Sequence, residues 1–177
     1  MHLEAMLYTT DRLAVRRLAL DDAPFILELL NEPGWLEHIG DRGVRTLDDA
    51  RQYLCDGPLA SYAAHGHGLY HVALRATGEP VGMCGLLRRD GLDAPDLGYA
   101  VLARHAGHGY ATEAARATLA HAAGDLGLAR VVAITSEANA ASQRVLAAVG
   151  MRRDGFVSLP GIEGPSVRFE IDLADGR

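Results

Sequence analysis

The sequence is short of aromatic residues and of cysteine, and it has no excess of positive charge. Aromatics make up 6% of the 177 residues, with a single tryptophan. A core must therefore be filled by Leu, Val, Ile and Ala rather than by large rings. The two cysteines, Cys55 and Cys84, lack a metal-like spacing, which excludes a zinc knuckle and a disulfide framework. Both read as buried small hydrophobes in a reducing compartment. The formal charge is −6, and no Lys/Arg run offers the basic face of a nucleic-acid binder. A net acidic surface weakly favours a cationic substrate, although solubility alone accounts for it. Met1–Leu7 shows no basic flank followed by an apolar run, so no signal peptide is expected. No apolar segment is long enough to span a bilayer, and a cytoplasmic protein without a membrane partner is expected. His65, His67, His71, His105, His108 and His121 follow no zinc spacing, so no metal is expected. Internal repeats and low-complexity tracts are also missing.

What is present is a hydrophobic fraction of 49%, enough for a real core and too high for disorder. One domain over residues 1–177 is expected. Arg12–Leu18 alternates like a strand, and Asp21-Asp22 precede an apolar helical pattern that Pro33-Gly34 is expected to end. Thr46-Leu-Asp-Asp49 has the form of a capping box opening a helix, which Gly57-Pro58 should interrupt. Leu69–Leu74 and Pro80–Leu87 read as strands joined at Thr77-Gly78-Glu79, and Asp96–Leu102 as a third. A long helix over Gly107–Leu126 follows. Then come a strand at Arg130–Thr135, a helix at Asn139–Val149, and strands at Met151–Ser158 and Val167–Leu173. Hairpin strands followed by strand–helix–strand predict a mixed α/β fold with helices on both faces of one sheet.

The most informative stretch is Leu97-Gly-Tyr-Ala-Val-Leu-Ala-Arg-His-Ala-Gly-His-Gly-Tyr-Ala-Thr-Glu113. A strand feeds a tight turn holding Gly107 and Gly109, and a long helix leaves it. Glycine allows backbone angles closed to other residues and lets a ligand approach the amides. The helix's first N–H groups are unpaired and carry partial positive charge, which suits a pyrophosphate. Arg104 offers a further charge. The turn is not a Walker loop, because no Lys-Ser/Thr follows, and the preceding hairpin argues against a dinucleotide fingerprint.

Arg104-x-x-Gly107-x-Gly109-Tyr-Ala-Thr-Glu-Ala resembles the acetyl-CoA-binding motif of the GNAT N-acetyltransferases. Thr10-Asp-Arg-Leu-Ala-Val-Arg-Arg-Leu with Asp21-Asp22-Ala resembles the opening of their RimJ/RimL-type branch, which acetylates ribosomal-protein N-termini. Pro80-Val-Gly-Met-Cys-Gly-Leu resembles the third strand of that branch. Asn139-Ala-Ala-Ser142 through Gly150 resembles its Asn-x-x-Ser…Gly-Phe helix, with Met151 in place of the phenylalanine. These matches cover nearly the whole chain in order. The resemblance implies a mostly antiparallel sheet of about six to seven strands with a splayed pair at the cofactor site. It implies an acyltransferase in which an amine attacks the thioester of acetyl-CoA directly. The acceptor would be a peptide or protein N-terminus or a small amine. The same fold without effective catalysis would leave a CoA-binding sensor or scaffold, and monomer and homodimer both remain open.

By resemblance, acetyl-CoA would contact Tyr99, Val101, Ala103, Arg104, His105, Ala106, Gly107, His108, Gly109, Tyr110, Ala111, Asn139 and Ser142. The strand amides around Tyr99 to Ala103 would hold the pantetheine arm and polarise the thioester carbonyl. Asn139 reads either as a helix N-cap or as a pantetheine contact. Ser142 reads as a donor to the leaving thiolate or as a helix-surface serine. Many relatives carry a tyrosine four residues on as thiol acid, where this chain has Leu146. Asp96 stands where the branch often has a glutamate and is the candidate general base, with a solvated carboxylate as the plainer reading. Glu37, His38 and Trp35 are candidates for the acceptor pocket, and Tyr53 lies on the same covering segment. Glu113 reads as a complement to the helix dipole.

Overall fold

Alternating apolar residues build one eight-stranded sheet in the computed structural model, which describes residues 6–173. The order along the chain is β1 Met6–Thr9, β2 Leu13–Arg17, α1 Ala23–Leu30, α2 Pro33–His38, α3 Leu47–Leu54 and α4 Ala60–His65. Then follow β3 Leu69–Leu74, β4 Pro80–Leu87, β5 Asp96–Val101, α5 Tyr110–Gly124, β6 Arg130–Thr135, α6 Ala140–Ala148, β7 Arg152–Val157 and β8 Ser166–Asp172. In space the strands run β1-β2-β3-β4-β5-β6-β8-β7. Every neighbouring pair is antiparallel except β5 and β6, which are parallel.

Strands β3 and β4 are buried along nearly their whole length, which requires cover on both faces. On one face, Ala114, Ala115, Leu119 and Ala122 of α5 and Leu146 of α6 pack on Val15, Val72, Val81 and Val131. On the other, Phe25, Ile26 and Leu29 of α1, Trp35 of α2 and Leu54 of α3 pack with Leu69 and Met83. The small alanines of α5 let that helix sit close to the sheet, which is how a core with few rings reaches interior density.

Several local expectations change. The sheet has eight strands, not six to seven, because β1 is a four-residue edge strand too short to show a period. Pro33 begins α2 instead of ending the previous helix. A proline is well placed in the first helical turn, where its missing N–H would be unpaired anyway. Gly57-Pro58 does not break the helical run. The chain passes from α3 through a π turn, Cys55–Leu59, directly into α4, and a wider turn accommodates the proline ring. Cys55 on that turn is exposed, contrary to expectation, whereas Cys84 is buried. The capping box at Thr46 forms as read, with Asp49 N donating to Thr46 Oγ1 at 3.0 Å and Thr46 N to Asp49 Oδ2 at 3.1 Å. Of the segment Met1–Leu7, residues 1–5 lie outside the described residues. No described helix is long and apolar enough to cross a membrane.

Candidate active site

The parallel pair β5–β6 holds together at one register position, Asp96 opposite Val132, and then separates. Val132 N donates to Pro95 O at 3.0 Å, so the peptide groups of odd-numbered β5 residues face β6. Successive residues point their N–H and C=O to opposite sides of a strand. Beyond the junction, Tyr99 and Val101 therefore direct their N–H and C=O groups into the gap, while even-numbered residues continue the ladder to β4. An inner strand with unpaired groups is costly unless a ligand completes it. A cleft of about 1000 Å³ opens over this gap.

At the C-terminal end of β5 the chain makes the glycine turn. Gly107 and Gly109 have φ of 79° and 81°, the left-handed region that favours glycine. A Cβ on Gly107 would meet nothing within 4 Å, so the turn leaves open space above its backbone. The first helical bond of α5 runs from Glu113 N to Gly109 O. The N–H groups of residues 107–112 have no acceptor among the described residues. They form a row of unpaired donors at the positive end of a helix of 15 residues, a geometry that suits an anion. Ala103, Ala106 and Ala111 line the cleft beside it.

A clamp from the connection between β1 and β2 holds this turn. Arg12 Nε donates to Glu113 Oε1 at 2.7 Å and its Nη1 to His108 O at 2.9 Å. Its guanidinium lies 4.5 Å from the Tyr110 ring centroid, and Thr10 Oγ1 donates to the second oxygen of Glu113. Glu113 is thus a tether between the β1–β2 connection and α5. Arg104, expected to face an anion, donates instead to Glu28 and, at 3.3 Å, to Glu79. His105 Nε2 is 3.1 Å from the same Glu79 oxygen. Both contacts of Arg104 are exposed and so weakly held.

On the β6 side, Asn139 caps α6, accepting from Ser142 N at 3.1 Å. Its Nδ2 has no partner among the described residues, and the residue lines the cleft. Cap and ligand contact are therefore compatible. Ser142 Oγ is 2.7 Å from the Tyr99 hydroxyl, which also donates to Ser142 O at 3.0 Å. Burial pushes the Tyr99 phenol up to about 12, although its bond to Ser142 opposes the rise. Leu146 is 1% exposed and packs in the core. The pairing of Tyr99 with Ser142 was invisible in sequence, because the two lie far apart in the chain and neither has a motif for the other.

At the opposite end of β5, Asp96 is 1% exposed and lines the cleft. Its Oδ2 accepts from Arg89 Nε at 3.1 Å, and its Oδ1 is buried without a partner. Burial raises its carboxyl to about 6, against the pull of Arg89. Asp96 is thus an enclosed carboxylate rather than a solvated one. Trp35, His38 and Tyr53 line the same cleft, and the Trp35 Nε1 is buried without an acceptor. Glu37 does not line it; its side chain is 74% exposed and lies 3.8 Å from His38. No grouping of three His, Cys, Asp or Glu side chains able to hold a metal occurs among the described residues.

Residues 12–152 match the family model described as "Acetyltransferase (GNAT) domain". The chain is 27% identical over 148 residues to the uncharacterized N-acetyltransferase YnaD of Bacillus subtilis, covering 84% of each. Among solved structures it is similar to an acetyltransferase from Agrobacterium tumefaciens, with 28% identity, a TM-score of 0.78, and 94% and 93% of the two chains covered. It also shares its fold with RimL, a ribosomal L7/L12 α-N-protein acetyltransferase in complex with coenzyme A. That match has 17% identity, a TM-score of 0.81, and covers 96% and 99% of the chains.

Proposed function

The chain belongs to the GNAT acetyltransferase family, and from that premise we propose that it transfers the acetyl group of acetyl-CoA to a primary amine by direct attack on the thioester. The acceptor is a peptide or protein N-terminus, as in the RimJ/RimL-type branch, or a small amine. The observation that carries this reading is the continuity of the cleft. It joins a free strand edge at Tyr99 and Val101 to the residues beside the α5 N-terminus at one end and to a buried carboxylate at the other.

In this reading the N–H groups of residues 107–112 bind the pyrophosphate, and the β5 edge continues into the pantetheine amides as an added strand. Asn139 Nδ2 supplies a further donor to the arm. A β5 N–H polarises the thioester carbonyl, and such donors stabilise the oxyanion as it forms. Asp96 takes a proton from the attacking ammonium. At about 6 it lies about two units below an α-amine and more than four below lysine, so the transfer is less uphill from an α-amine. Acceptor nitrogen bonds to the acetyl carbon, the C–S bond breaks, the thiolate leaves, and the nitrogen gives its second proton to solvent.

Tyr99 and Ser142 then stabilise that thiolate without fully protonating it. A phenol held at about 12 cannot readily give its proton to a thiolate whose thiol titrates near 8.5; the gap is about 5 kcal/mol. A hydrogen bond from Ser142 Oγ is what the pair can offer, with the Tyr99 hydroxyl turning from Ser142 O to donate to Oγ, and solvent completes the protonation.

The test is thiol release from acetyl-CoA against a panel of peptides and small amines. Release that rises with at least one acceptor, with the N-acetylated product found by mass spectrometry, supports the reading. Tight CoA binding without turnover across the panel would overturn it in favour of a CoA-binding scaffold.

A further inference from the structure

The cleft carries arginines to which the donor reading above gives no role. Arg42, Arg88 and Arg89 line it. Arg88 and Arg89 directly follow β4, whose last residue Leu87 pairs with Asp96 at the start of β5. The glycine turn lies past the other end of β5. Five residue steps separate Asp96 from Val101, about 17 Å of strand. One anion site, the α5 N-terminus, thus sits at one end of β5, and these guanidinium groups sit at the other.

The arginines are available. Neither Arg42 nor Arg88 has a hydrogen-bond or ion-pair partner among the described residues, and Arg89 uses only its Nε, toward Asp96. Arg42, Arg89 and Tyr53 share the cleft wall, and both guanidinium groups oppose the rise that burial imposes on the Tyr53 phenol. Four carboxylates share the cleft wall: Asp96 pairs with Arg89, Glu32 accepts from Ala103 N at 3.4 Å, and Asp49 and Asp56 are held by neutral donors. Asp49 accepts from the backbone N–H groups of Arg45 and Thr46 at 3.0 and 3.1 Å, and Asp56 accepts from Gln52 Nε2 at 2.8 Å. The Trp35 Nε1, buried on the same wall, is a donor lacking an acceptor. The chain contains no lysine, so each of these cations is a guanidinium, permanently charged and shaped for carboxylate or phosphate.

We infer that the acceptor amine carries an anionic group, a carboxylate or a phosphate, which Arg42 and Arg88 bind at the Asp96 end of the cleft while the amine reaches the thioester. This rests on the transferase reading above and narrows its acceptor class. It disfavours polyamines and aminoglycosides, which carry no anionic group for these guanidinium groups to bind.

The experiment is calorimetric binding of N-acetylated products to the CoA-loaded protein, which needs no turnover. The probes are N-acetylglycine and N-acetylglutamate against their amides, N-acetylphosphoethanolamine against N-acetylethanolamine, and N-acetylspermidine. Charge-assisted pairing predicts that an anionic probe binds about 10- to 100-fold tighter than its neutral counterpart. The preferred probe, amino acid or phosphate, identifies the source of the anion. Arg42→Gln and Arg88→Gln should each shrink that preference and leave acetyl-CoA affinity unchanged. Equal binding of charged and neutral probes, tighter binding of the polyamine, or a preference that survives both substitutions would overturn the inference. A thiol-release assay run alongside reports separately on transfer itself, so failure of the acceptor assignment and failure of the enzyme reading are distinguishable.

Discussion

Asp96 is the residue whose environment departs furthest from what its sequence position suggests. A carboxylate at a strand start reads as solvated, yet this one is enclosed, with one oxygen unpaired. Its carboxyl rises from 3.8 to about 6, so the folded protein holds the proton more tightly than the unfolded chain. That difference, about 3 kcal/mol, is lost to folding as pH rises from about 4 through 6. Asp96→Asn should therefore melt no lower than wild type at pH 8. If Asp96 is the base, the same variant should lose about 100-fold in kcat and lack the rise of kcat/KM through pH 6 that wild type shows. An intact pH profile in the variant would remove Asp96 from the mechanism. Tyr99→Phe should lower kcat about tenfold with little change in KM for acetyl-CoA, because only the supporting hydroxyl at Ser142 is lost. A change confined to KM would make the pair a binding contact instead. Asp96 and Ser142 were both legible as candidates because each stands at a motif position. The partners that give them their chemistry, Arg89 and Tyr99, were not, since sequence spacing does not report contacts made across strands.

At the scale of elements, the long periodic segments and the glycine turn were readable. Strands β3, β4 and β6 fall where alternation and turn residues put them. Failures came where local rules compete. Pro33 and Pro58 were read as breakers, but one opens a helix and the other sits in a π turn. Edge strand β1 was too short to announce itself. The Arg12 clamp was also unreadable, because the β1–β2 connection and α5 meet only when the sheet forms. It suggests how the turn is kept in shape for a ligand. Arg12→Ala removes the bonds to Glu113 and His108 and the contact with Tyr110. The expected result is a several-fold rise in KM for acetyl-CoA, a Tm lowered by a few degrees, and an unchanged acceptor KM. If the acceptor KM rises as much, the clamp supports the whole cleft and not the turn.

Across the whole molecule, net charge says little about the cleft. The formal charge of −6 is accounted for by solubility and favours a cationic acceptor only weakly, while Arg42 and Arg88 line the cleft without a partner among the described residues. Long-range fields and local contacts are separate questions, and the second decides specificity. The pH dependence of stability has a distinct source. His71 is buried, packed 5.1 Å from the Phe25 ring, and burial holds its imidazole down at about 4 against an ordinary 6.5. Its contribution is complete above pH 6.5 and is lost as pH falls toward 4, about 3 kcal/mol over that window. This runs opposite to Asp96, and the two partly offset each other between pH 4 and 6. His71→Leu should flatten the loss of Tm on acidification from pH 6.5 to 4. An unchanged slope would assign the acid sensitivity elsewhere.

The assignment of the glycine turn to the acetyl donor's phosphates is tested most directly by calorimetric titration of wild type and Gly107→Glu with acetyl-CoA and S-acetylpantetheine, folding being checked by circular dichroism. The side chain added at Gly107 enters open space and brings negative charge to the helix N-terminus. Wild type should bind acetyl-CoA far more tightly than the truncated thioester, and the folded variant should lose that difference by weakening only for acetyl-CoA. A folded Gly107→Glu protein that binds acetyl-CoA as tightly as wild type would contradict it.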